Sequence, residues 1–249
     1  MAGRKTYRCK AIVLDRTPLA EQDLILTLLA EQGCELRAVA KGGRKPGGRL
    51  AARSELFCET DFLLARGRNL DVVSEASVVD AHGSIRGELE RVSAASAICE
   101  VARLTCFADA HDPFLYPLCA RALRACEQAA DQARLDLVVA AYVLKVLSHE
   151  GWRPQVSSCV LCGDEDVSFL SVPTGGVLCA SCAKDLGDAS EVSAAFLAWL
   201  QALVGSTFDT LLEANCNLQT SSELVGFSHR WAATHLETRL RAMEFYLSV

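Results

Sequence analysis

The sequence predicts an α+β multidomain protein in which a small five-stranded β-barrel is followed by an α-helical bundle with an inserted cysteine-rich segment. Three observations lead to this prediction. Apolar runs up to residue 80 are short, apolar positions from residue 85 recur with helical spacing, and two Cys-x-x-Cys pairs lie close together late in the chain. The expected boundaries are 1–80 for the barrel domain and 81–249 for the helical domain, with the cysteine segment at 157–185.

Five short runs rich in β-branched or aromatic residues predict the strands of the barrel. They extend from Cys9 to Leu14, Leu24 to Leu29, Leu36 to Ala40, Leu56 to Leu64 and Leu70 to Val79. A Gln32-Gly33 turn and a glycine-rich loop separate some of them. Five short strands in eighty residues are typical of a closed barrel of the oligonucleotide/oligosaccharide-binding (OB) type, and an SH3-like barrel would give a similar pattern.

Helical spacing begins at Ile85 and predicts one long helix to Cys106. A second helix is expected from Pro113 to Ala130, and a third from Leu135 to His149 is apolar on nearly every side, as expected for a buried central helix. Two capping boxes predict later helix starts, and both combine a small polar residue with a glutamate three positions later. They are Asp188 with Glu191, before a helix to Leu203, and Thr220 with Glu223, before a last helix to Met243.

Four cysteines have the spacing of a metal site. Cys159 and Cys162 form one Cys-x-x-Cys pair, and Cys179 and Cys182 form another after sixteen residues. A short β-ribbon can fold four such thiolates around one tetrahedral zinc ion, which would be structural. A disulfide pair or redox-active thiols are the alternatives. A catalytic zinc site is disfavoured, because the sequence has neither His-Glu-x-x-His nor His-x-Glu with Pro-Cys-x-x-Cys.

The other eight cysteines stand singly among apolar residues and are expected to be buried. They are Cys9, Cys34, Cys58, Cys99, Cys106, Cys119, Cys126 and Cys216. No apolar leader follows Met1 and no run is long enough for a membrane span, so we expect a soluble, cytoplasmic protein with reduced thiols.

Charge is unevenly distributed along a chain whose net charge is -6. Residues 1–80 carry thirteen Lys or Arg against eleven Asp or Glu, whereas residues 81–249 carry twelve against twenty. Within seventeen residues of the first part, six basic residues occur without an acidic one: Arg37, Lys41, Arg44, Lys45, Arg49 and Arg53. These residues predict a local positive site on an otherwise acidic protein.

The basic loop, residues 41–49, is the candidate ligand-binding element. It lacks the Gly-Lys-Ser/Thr ending of a Walker phosphate loop. A flexible, basic arm beside a barrel strand suits contacts to a polyphosphate backbone without base readout, although such a loop can also be merely solvated. Since residues 1–80 contain only Tyr7, Phe57 and Phe62 as aromatics, binding should depend on charge more than on stacking. Further cations could extend the surface: Arg4, Lys5, Arg8, Arg66 and Arg68.

The sequence resembles the RecO family of bacterial DNA repair and recombination mediators. The resemblance lies in Ile12-Val13-Leu14-Asp15-Arg16, in residues 21–29 (EQDLILTLL), in residues 37–45 (RAVAKGGRK) and in the four spaced cysteines. It covers essentially the whole chain.

This resemblance implies a non-enzymatic protein that binds single- and double-stranded DNA, anneals complementary strands and, with RecR and the single-strand-binding protein, helps RecA onto DNA. It implies DNA contacts by the six basic residues and zinc binding by the four spaced cysteines. Two other classes stay open. One is a zinc-ribbon RNA- or nucleotide-processing enzyme, which the five dispersed histidines, expected at the surface or at helix caps, do not favour. The other is a protein adaptor whose basic loop is incidental.

Overall fold

The computed structural model describes residues 5–249, and the chain divides into two compact units, Met1–Glu127 and Gln128–Val249. Among the described residues, no helix combines the length and apolar character needed to cross a membrane.

Five strands form a closed barrel in the first unit, as predicted. They are β1 (Thr6–Pro18), β2 (Leu24–Ala30), β3 (Glu35–Ala40), β4 (Glu59–Ala65) and β5 (Asp71–Asp80). Their order around the barrel is β1-β2-β3-β5-β4, and every pair is antiparallel except β3 with β5. A five-stranded barrel in which the first strand pairs with both β2 and β4 has the OB-type architecture that the sequence predicts.

Alternating side chains fill the barrel. Ala11 and Val13 of β1, Leu26 and Leu28 of β2, and Phe62 of β4 are fully or almost fully buried. The register between β1 and β2 shifts between Val13 and Asp15, and such a bulge bends a strand so that it can pair on both sides of a barrel.

The fourth strand begins later than predicted, at Glu59 instead of Leu56. Phe57 takes a positive φ of 72°, so its backbone turns at the point where the apolar pattern suggested extension. Its side chain is buried, and its N–H donates to the Val13 carbonyl oxygen at 2.9 Å. The apolar residues directly before Glu59 therefore pack into the core from a turn and are not part of the strand.

Two helices complete the first unit, α1 (Leu89–Thr105) and α2 (Leu115–Gln128). The first helix starts four residues later than predicted because Gly83–Gly87 form a 3-10 turn. The loop between the helices packs on the β2–β3 turn at Gly33, which has a φ of 83°. A Cβ atom there would lie 1.7 Å from the Asp112 carbonyl oxygen, so only glycine fits this turn.

The second unit consists of helices and a small sheet. Its elements are α3 (Gln132–His149), β6 (Phe169–Ser171), β7 (Gly176–Leu178), α4 (Ala180–Lys184), β8 (Ser190–Glu191), α5 (Ala194–Gly205), α6 (Phe208–Glu213), α7 (Leu218–His235) and α8 (Arg241–Tyr246). The helix α3 is buried on nearly every side and contacts α5, α6 and α7, which confirms it as the central helix. The sheet has the strand order β7-β6-β8.

Both predicted capping boxes are wrong. Ser193 caps α5, accepting a hydrogen bond from the Phe196 N–H at 3.1 Å. Asp188 instead accepts a hydrogen bond from the Ser171 hydroxyl at 2.7 Å, and Glu191 belongs to β8. The pattern of a capping box is short, and a competing partner from a neighbouring strand outweighs it here.

The last helix also differs from the prediction. Asn217 caps α7 by accepting from the Thr220 N–H at 2.8 Å, so the cap lies three residues earlier than predicted. The helix ends at His235, where Glu237 has a φ of 49° and the Thr238 N–H donates to the Ala233 carbonyl. This C-terminal motif separates α7 from α8, which were predicted as one helix.

Candidate nucleic-acid interface and metal site

The basic loop follows β3 and is fastened to the turn between β1 and β2. The Gly42 N–H donates to the Asp23 carboxylate at 2.8 Å, and the Arg44 N–H donates to the Gln22 carbonyl at 2.9 Å. The Lys45 N–H donates to the Gly42 carbonyl at 3.0 Å, so the chain continues in tight turns. The loop is therefore a folded element in this structure instead of the free arm that its composition suggests.

All six predicted DNA-contacting residues are exposed. They are Arg37 on β3, Lys41, Arg44, Lys45 and Arg49 in the loop, and Arg53 in a 3-10 turn at Ala52–Ser54. None of the six forms an ion pair with any residue of the described range 5–249. Their positive charges are thus available to an external anion.

Carbonyl oxygens hold three of the guanidinium groups in place. Arg49 Nη2 lies 3.4 Å from the Ser74 carbonyl oxygen, and Arg53 Nη1 lies 3.2 Å from that of Ala76. Arg44 Nη1 makes a longer contact of 3.5 Å to Ala20. A carbonyl oxygen is a neutral acceptor, so these contacts position the side chains without cancelling their charge.

The contacts of Arg49 and Arg53 follow one edge of β5. Within residues 5–249, β3 pairs with β5 only at Asp71 and Val72, so the rest of this β5 edge has no strand partner. Ser74 lies at a register shift of the β4–β5 pairing, between Val73 and Glu75, and Ala76 follows two residues later. Arg49 and Arg53 therefore cover the open edge and form a row of two fixed cations beside it.

Other cations of the barrel are in different environments. Lys10 pairs with Glu59 at 2.5 Å and Arg86 pairs with Glu55 at 3.2 Å, so both are neutralised. The Arg66 guanidinium lies over the ring of Tyr7, 4.9 Å from its centroid. Lys5, Arg8 and Arg68 are exposed, and Arg4 lies outside the described residues.

The barrel offers little aromatic surface to a nucleic acid. Phe57 and Phe62 are buried in the core, and Arg66 covers Tyr7, whose hydroxyl donates to the Asp71 carboxylate. Burial and this hydrogen bond raise the pKa of Tyr7, so the hydroxyl is neutral at physiological pH. Two of these three rings are buried and Arg66 lies over the third, which favours electrostatic attraction over base stacking as the main contribution.

The four spaced cysteines meet in the second unit. Cys159 and Cys162 lie in a turn before β6. Cys179 directly follows β7 and is the N-cap residue of α4, and Cys182 lies within α4. Their Sγ atoms all lie within 4.8 Å of one another. The Cys162 and Cys179 Sγ atoms are 3.7 Å apart, close to the edge of about 3.8 Å of a tetrahedron with metal–sulfur bonds of about 2.3 Å.

Backbone hydrogen bonds shape the turn of the first cysteine pair. The Gly163 N–H donates to the Cys159 carbonyl at 2.9 Å, and the Cys159 N–H donates to the Asp164 carbonyl at 2.7 Å. Gly163 needs its φ of 79° to close this turn, which explains the glycine directly after the second cysteine. The Val160 N–H donates to the Val177 carbonyl at 3.0 Å and fixes the turn to β7.

The thiols differ in acidity. Backbone N–H groups, that of Cys179 above all, lower the pKa of Cys159 to about 6. Contacts with the sulfur atoms of Cys179 and Cys162 raise the pKa of Cys182 to about 12. Since one thiolate opposes ionisation of the next, a bound cation is what allows all four to be thiolates together. The cluster could therefore hold a metal ion.

None of the twelve cysteines forms a disulfide. All eight cysteines outside the cluster are buried, as predicted. Desolvation raises the pKa of Cys9 to about 12 and of Cys106 to about 12, so these thiols are unreactive packing residues.

Sequence reasoning missed a polar cluster at the end of the barrel. His82 was expected at the surface or at a helix cap; it is 1% exposed, precedes the 3-10 turn Gly83–Gly87 and has a φ of 44°. Its Nδ1 atom donates to Glu127 at 2.8 Å and lies 3.7 Å from Asp80. No local motif could reveal this cluster, because Glu127 is 45 positions away in the chain. Arg124 lies 3.6 Å from Asp80, and its positive charge opposes a metal ion there.

Comparison with known proteins identifies the family. The family model described as "Recombination protein O N terminal" matches residues 1–82, and "Recombination protein O C terminal" matches residues 86–244. The chain belongs to the recombination protein O (RecO) family.

Individual relatives agree with the family match over nearly the full length of both chains. A protein of Bifidobacterium longum (strain DJO10A) named DNA repair protein RecO is 34% identical over 241 residues, covering 95% of this chain and 97% of the relative. A protein of the same name from Frankia casuarinae is 34% identical over 244 residues, which cover 96% of this chain and 97% of the relative. Another from Desulforudis audaxviator is 30% identical over 243 residues, which cover 97% of this chain and 96% of the relative.

Proposed function

We propose that this protein is a DNA-binding recombination mediator in DNA repair, and that the six basic residues of the barrel unit contact DNA phosphates. The observation that carries this proposal is the set of exposed cations without ion pairs, two of which are fixed along the β5 edge. The family match supports the biological role, since its relatives are named DNA repair proteins.

Charge neutralisation explains how such a surface promotes annealing. Two DNA strands repel each other through their phosphates, and bound lysine and arginine side chains release the condensed counterions and lower that repulsion. The contacts are to the backbone, so complementary bases stay free to pair. No covalent bond is made or broken, and the proposed role is therefore non-enzymatic.

We propose that DNA binding and protein binding are assigned to the two domains expected from the sequence. The barrel domain, residues 1–80, contacts single- and double-stranded DNA. The remainder, residues 81–249, with twelve basic and twenty acidic residues, repels DNA and is suited to protein partners. We propose RecR and the single-strand-binding protein as these partners and RecA loading at the nucleoid as the outcome.

We propose that the four-cysteine cluster binds one structural zinc ion. Four thiolates match the closed zinc sites of small ribbons, and such sites supply folding energy to a segment too small for its own core. In this chain the ligands join the turn before β6 to the turn after β7, so the metal would hold the ribbon together. Among residues 5–249, no histidine or carboxylate joins the four cysteines in this group.

A fluorescence assay of strand annealing tests the proposed function. Complementary labelled oligonucleotides are mixed with the wild-type protein, with Lys41→Ala/Arg44→Ala/Lys45→Ala, and with the control Arg103→Ala/Arg153→Ala/Arg241→Ala. Both triple variants remove three exposed cations, but the control positions lie outside the basic loop. We expect annealing without nucleotide by the wild type and control, and a loss of about tenfold or more in the loop variant.

A DNA-binding assay at low salt with partner capture, and an assay for product release, separate the alternative functions. A protein adaptor would show no DNA affinity at low salt yet would capture a partner protein. An RNA- or nucleotide-processing enzyme would release a small product on incubation with its substrate. Equal annealing by the loop variant and the wild type would remove the assignment of DNA contacts to this loop.

A further inference from the structure

A groove of about 810 Å³ lies within the second unit, between the cysteine ribbon and helix α7. The ribbon contributes Leu170 of β6 and residues around β8, whereas Phe196 of α5 and Phe227 of α7 form apolar parts of the opposite wall. A groove of this size accommodates a few side chains of an extended peptide. Neither the DNA contacts nor the metal ligands described above lie in it.

Three carboxylates line this groove: Asp188, Glu191 and Glu223. None of them forms an ion pair within residues 5–249. Asp188 is held by the Ser171 hydroxyl at 2.7 Å, and Glu223 accepts from the Gln219 side chain at 3.2 Å. The basic residues in the lining of the groove are Arg230 and His229.

The ribbon beside the groove strengthens the negative field. Between residues 157 and 192 the chain has one basic residue, Lys184, and six acidic residues: Asp164, Glu165, Asp166, Asp185, Asp188 and Glu191. All six acidic residues are exposed. Such a surface repels DNA and attracts a cationic partner.

An open strand edge borders the same groove. Within the described residues, β8 pairs only with β6, so its other side has no strand partner. The Val192 N–H donates to the Ser168 carbonyl at 2.8 Å on the β6 side. Because neighbouring residues of a strand present their backbone groups to opposite sides, the N–H and carbonyl of Glu191 face the open side. An extended peptide can pair with such groups.

Gly226 of α7 lines the groove and contributes no side chain to it. A Cβ atom at Gly226 would meet only the end of the Arg230 side chain, at 3.7 Å. Glycine is unfavourable inside a helix, so a larger residue at this position would not be expected to weaken α7. The position therefore offers a way to fill the groove without unfolding its wall.

We propose that this groove binds an extended segment of a partner protein in which basic residues alternate with large apolar ones. The apolar side chains would pack against Phe196 and Val172, which line the groove and are partly exposed. The basic side chains would pair with Glu191 and Glu223, and the peptide backbone would pair with β8. The chemistry of all three contacts is complementary to features of the groove. This inference does not depend on the DNA contacts proposed for the barrel.

Fluorescence anisotropy with the full-length protein tests this proposal. The probe is a labelled octapeptide that alternates lysine with leucine, and two matched peptides replace either the lysines by glutamate or the leucines by serine. We expect saturable binding of the lysine–leucine peptide and at least tenfold weaker binding of both others. Equal binding of the glutamate–leucine peptide would overturn the proposed charge preference, and absence of saturable lysine–leucine binding would overturn the site.

Protein variants locate the binding. Glu191→Gln/Glu223→Gln should weaken peptide binding about fivefold, as expected for two exposed ion pairs, whereas the control Glu213→Gln/Glu237→Gln changes the net charge equally outside the groove and should have no effect. Gly226→Leu should abolish binding while circular dichroism and DNA affinity stay at wild-type values. Unchanged peptide affinity in a folded Gly226→Leu protein would place the peptide elsewhere. Retained DNA binding in all variants separates this proposal from the proposed function.

Discussion

Arg53 donates from Nη1 to the carbonyl oxygen of Ala76 at 3.2 Å, and no carboxylate among residues 5–249 pairs with its guanidinium. Arg49 makes the corresponding contact to Ser74, two residues earlier on β5. These arginines thus have two roles that can be separated by substitution. Their hydrogen bonds cover the open edge of the barrel, and their charges contribute to the proposed DNA contacts.

The double substitution Arg49→Lys/Arg53→Lys should separate these roles. Lysine keeps the charge but lacks the planar group that reaches the β5 carbonyls, so DNA affinity should stay within about threefold while the free energy of unfolding falls by about 1 kcal/mol. Arg49→Ala/Arg53→Ala should lose both stability and DNA affinity. Urea denaturation and DNA titration measure the two effects. A lysine variant that loses as much DNA affinity as the alanine variant would show that guanidinium geometry matters more than charge.

Gly33→Ala should destabilise the protein by more than about 2 kcal/mol. The substitution combines a positive φ with a Cβ atom 1.7 Å from the Asp112 carbonyl oxygen, so the turn or the α1–α2 loop must move. Gly83→Ala is the matched control in the same unit, because a Cβ atom there meets nothing within 4 Å. Denaturant unfolding monitored by circular dichroism gives both values. Similar stability of the two variants would contradict the packing at Gly33.

Metal analysis should find one zinc ion per chain. Cys159→Ser and Cys182→Ser should each lower the zinc content to well below one ion, and a chelator should lower the melting temperature of the wild type. Cys216→Ala is a suitable control because Cys216 is buried outside the cluster. Native mass spectrometry measures the stoichiometry. A metal-free wild-type protein with an unchanged melting temperature would contradict a structural metal.

Glu127 should make stability depend on pH in the acidic range. Burial alone would raise its pKa, but hydrogen bonds from Ser84 and His82 outweigh burial and lower the pKa below its usual value of 4.5. A lowered pKa in the folded state stabilises the protein above about pH 4.5, and this contribution disappears as the pH falls through the folded pKa.

Urea unfolding between pH 3.5 and pH 7 tests this effect in the wild type and in Glu127→Gln. The variant should lose stability at neutral pH and show a flatter pH profile. Glu75→Gln removes an exposed carboxylate of the same unit and should follow the wild-type profile. Parallel profiles of the wild type and Glu127→Gln would show that the carboxylate makes no such contribution.

The strand positions and the four-cysteine cluster were predictable because both depend on local spacing. Alternation along β1 to β5 sets which side chains enter the barrel, and the spacing of Cys159, Cys162, Cys179 and Cys182 suffices to bring four thiols together in a cluster that could hold a metal ion. The strand boundary at Phe57 was not predictable, since its positive φ depends on the bond to Val13.

Long-range partners explain what the sequence could not reveal. Asp188 has the sequence context of a helix cap, yet Ser171 on another element takes its carboxylate. Arg53 and Ala76 are 23 positions apart, so only the folded barrel shows that this cation is fixed in place. Composition identified the basic residues, whereas their freedom from ion pairs required the structure.

The salt dependence of binding to a single-stranded oligonucleotide is the sharpest test of the proposed phosphate contacts. If all six basic residues contact phosphates, the logarithm of the binding constant should fall with the logarithm of salt concentration with a slope of about -4, and Lys41→Ala/Arg44→Ala/Lys45→Ala should reduce its magnitude by about 2. An unchanged slope in that variant, with unchanged affinity, would contradict the account.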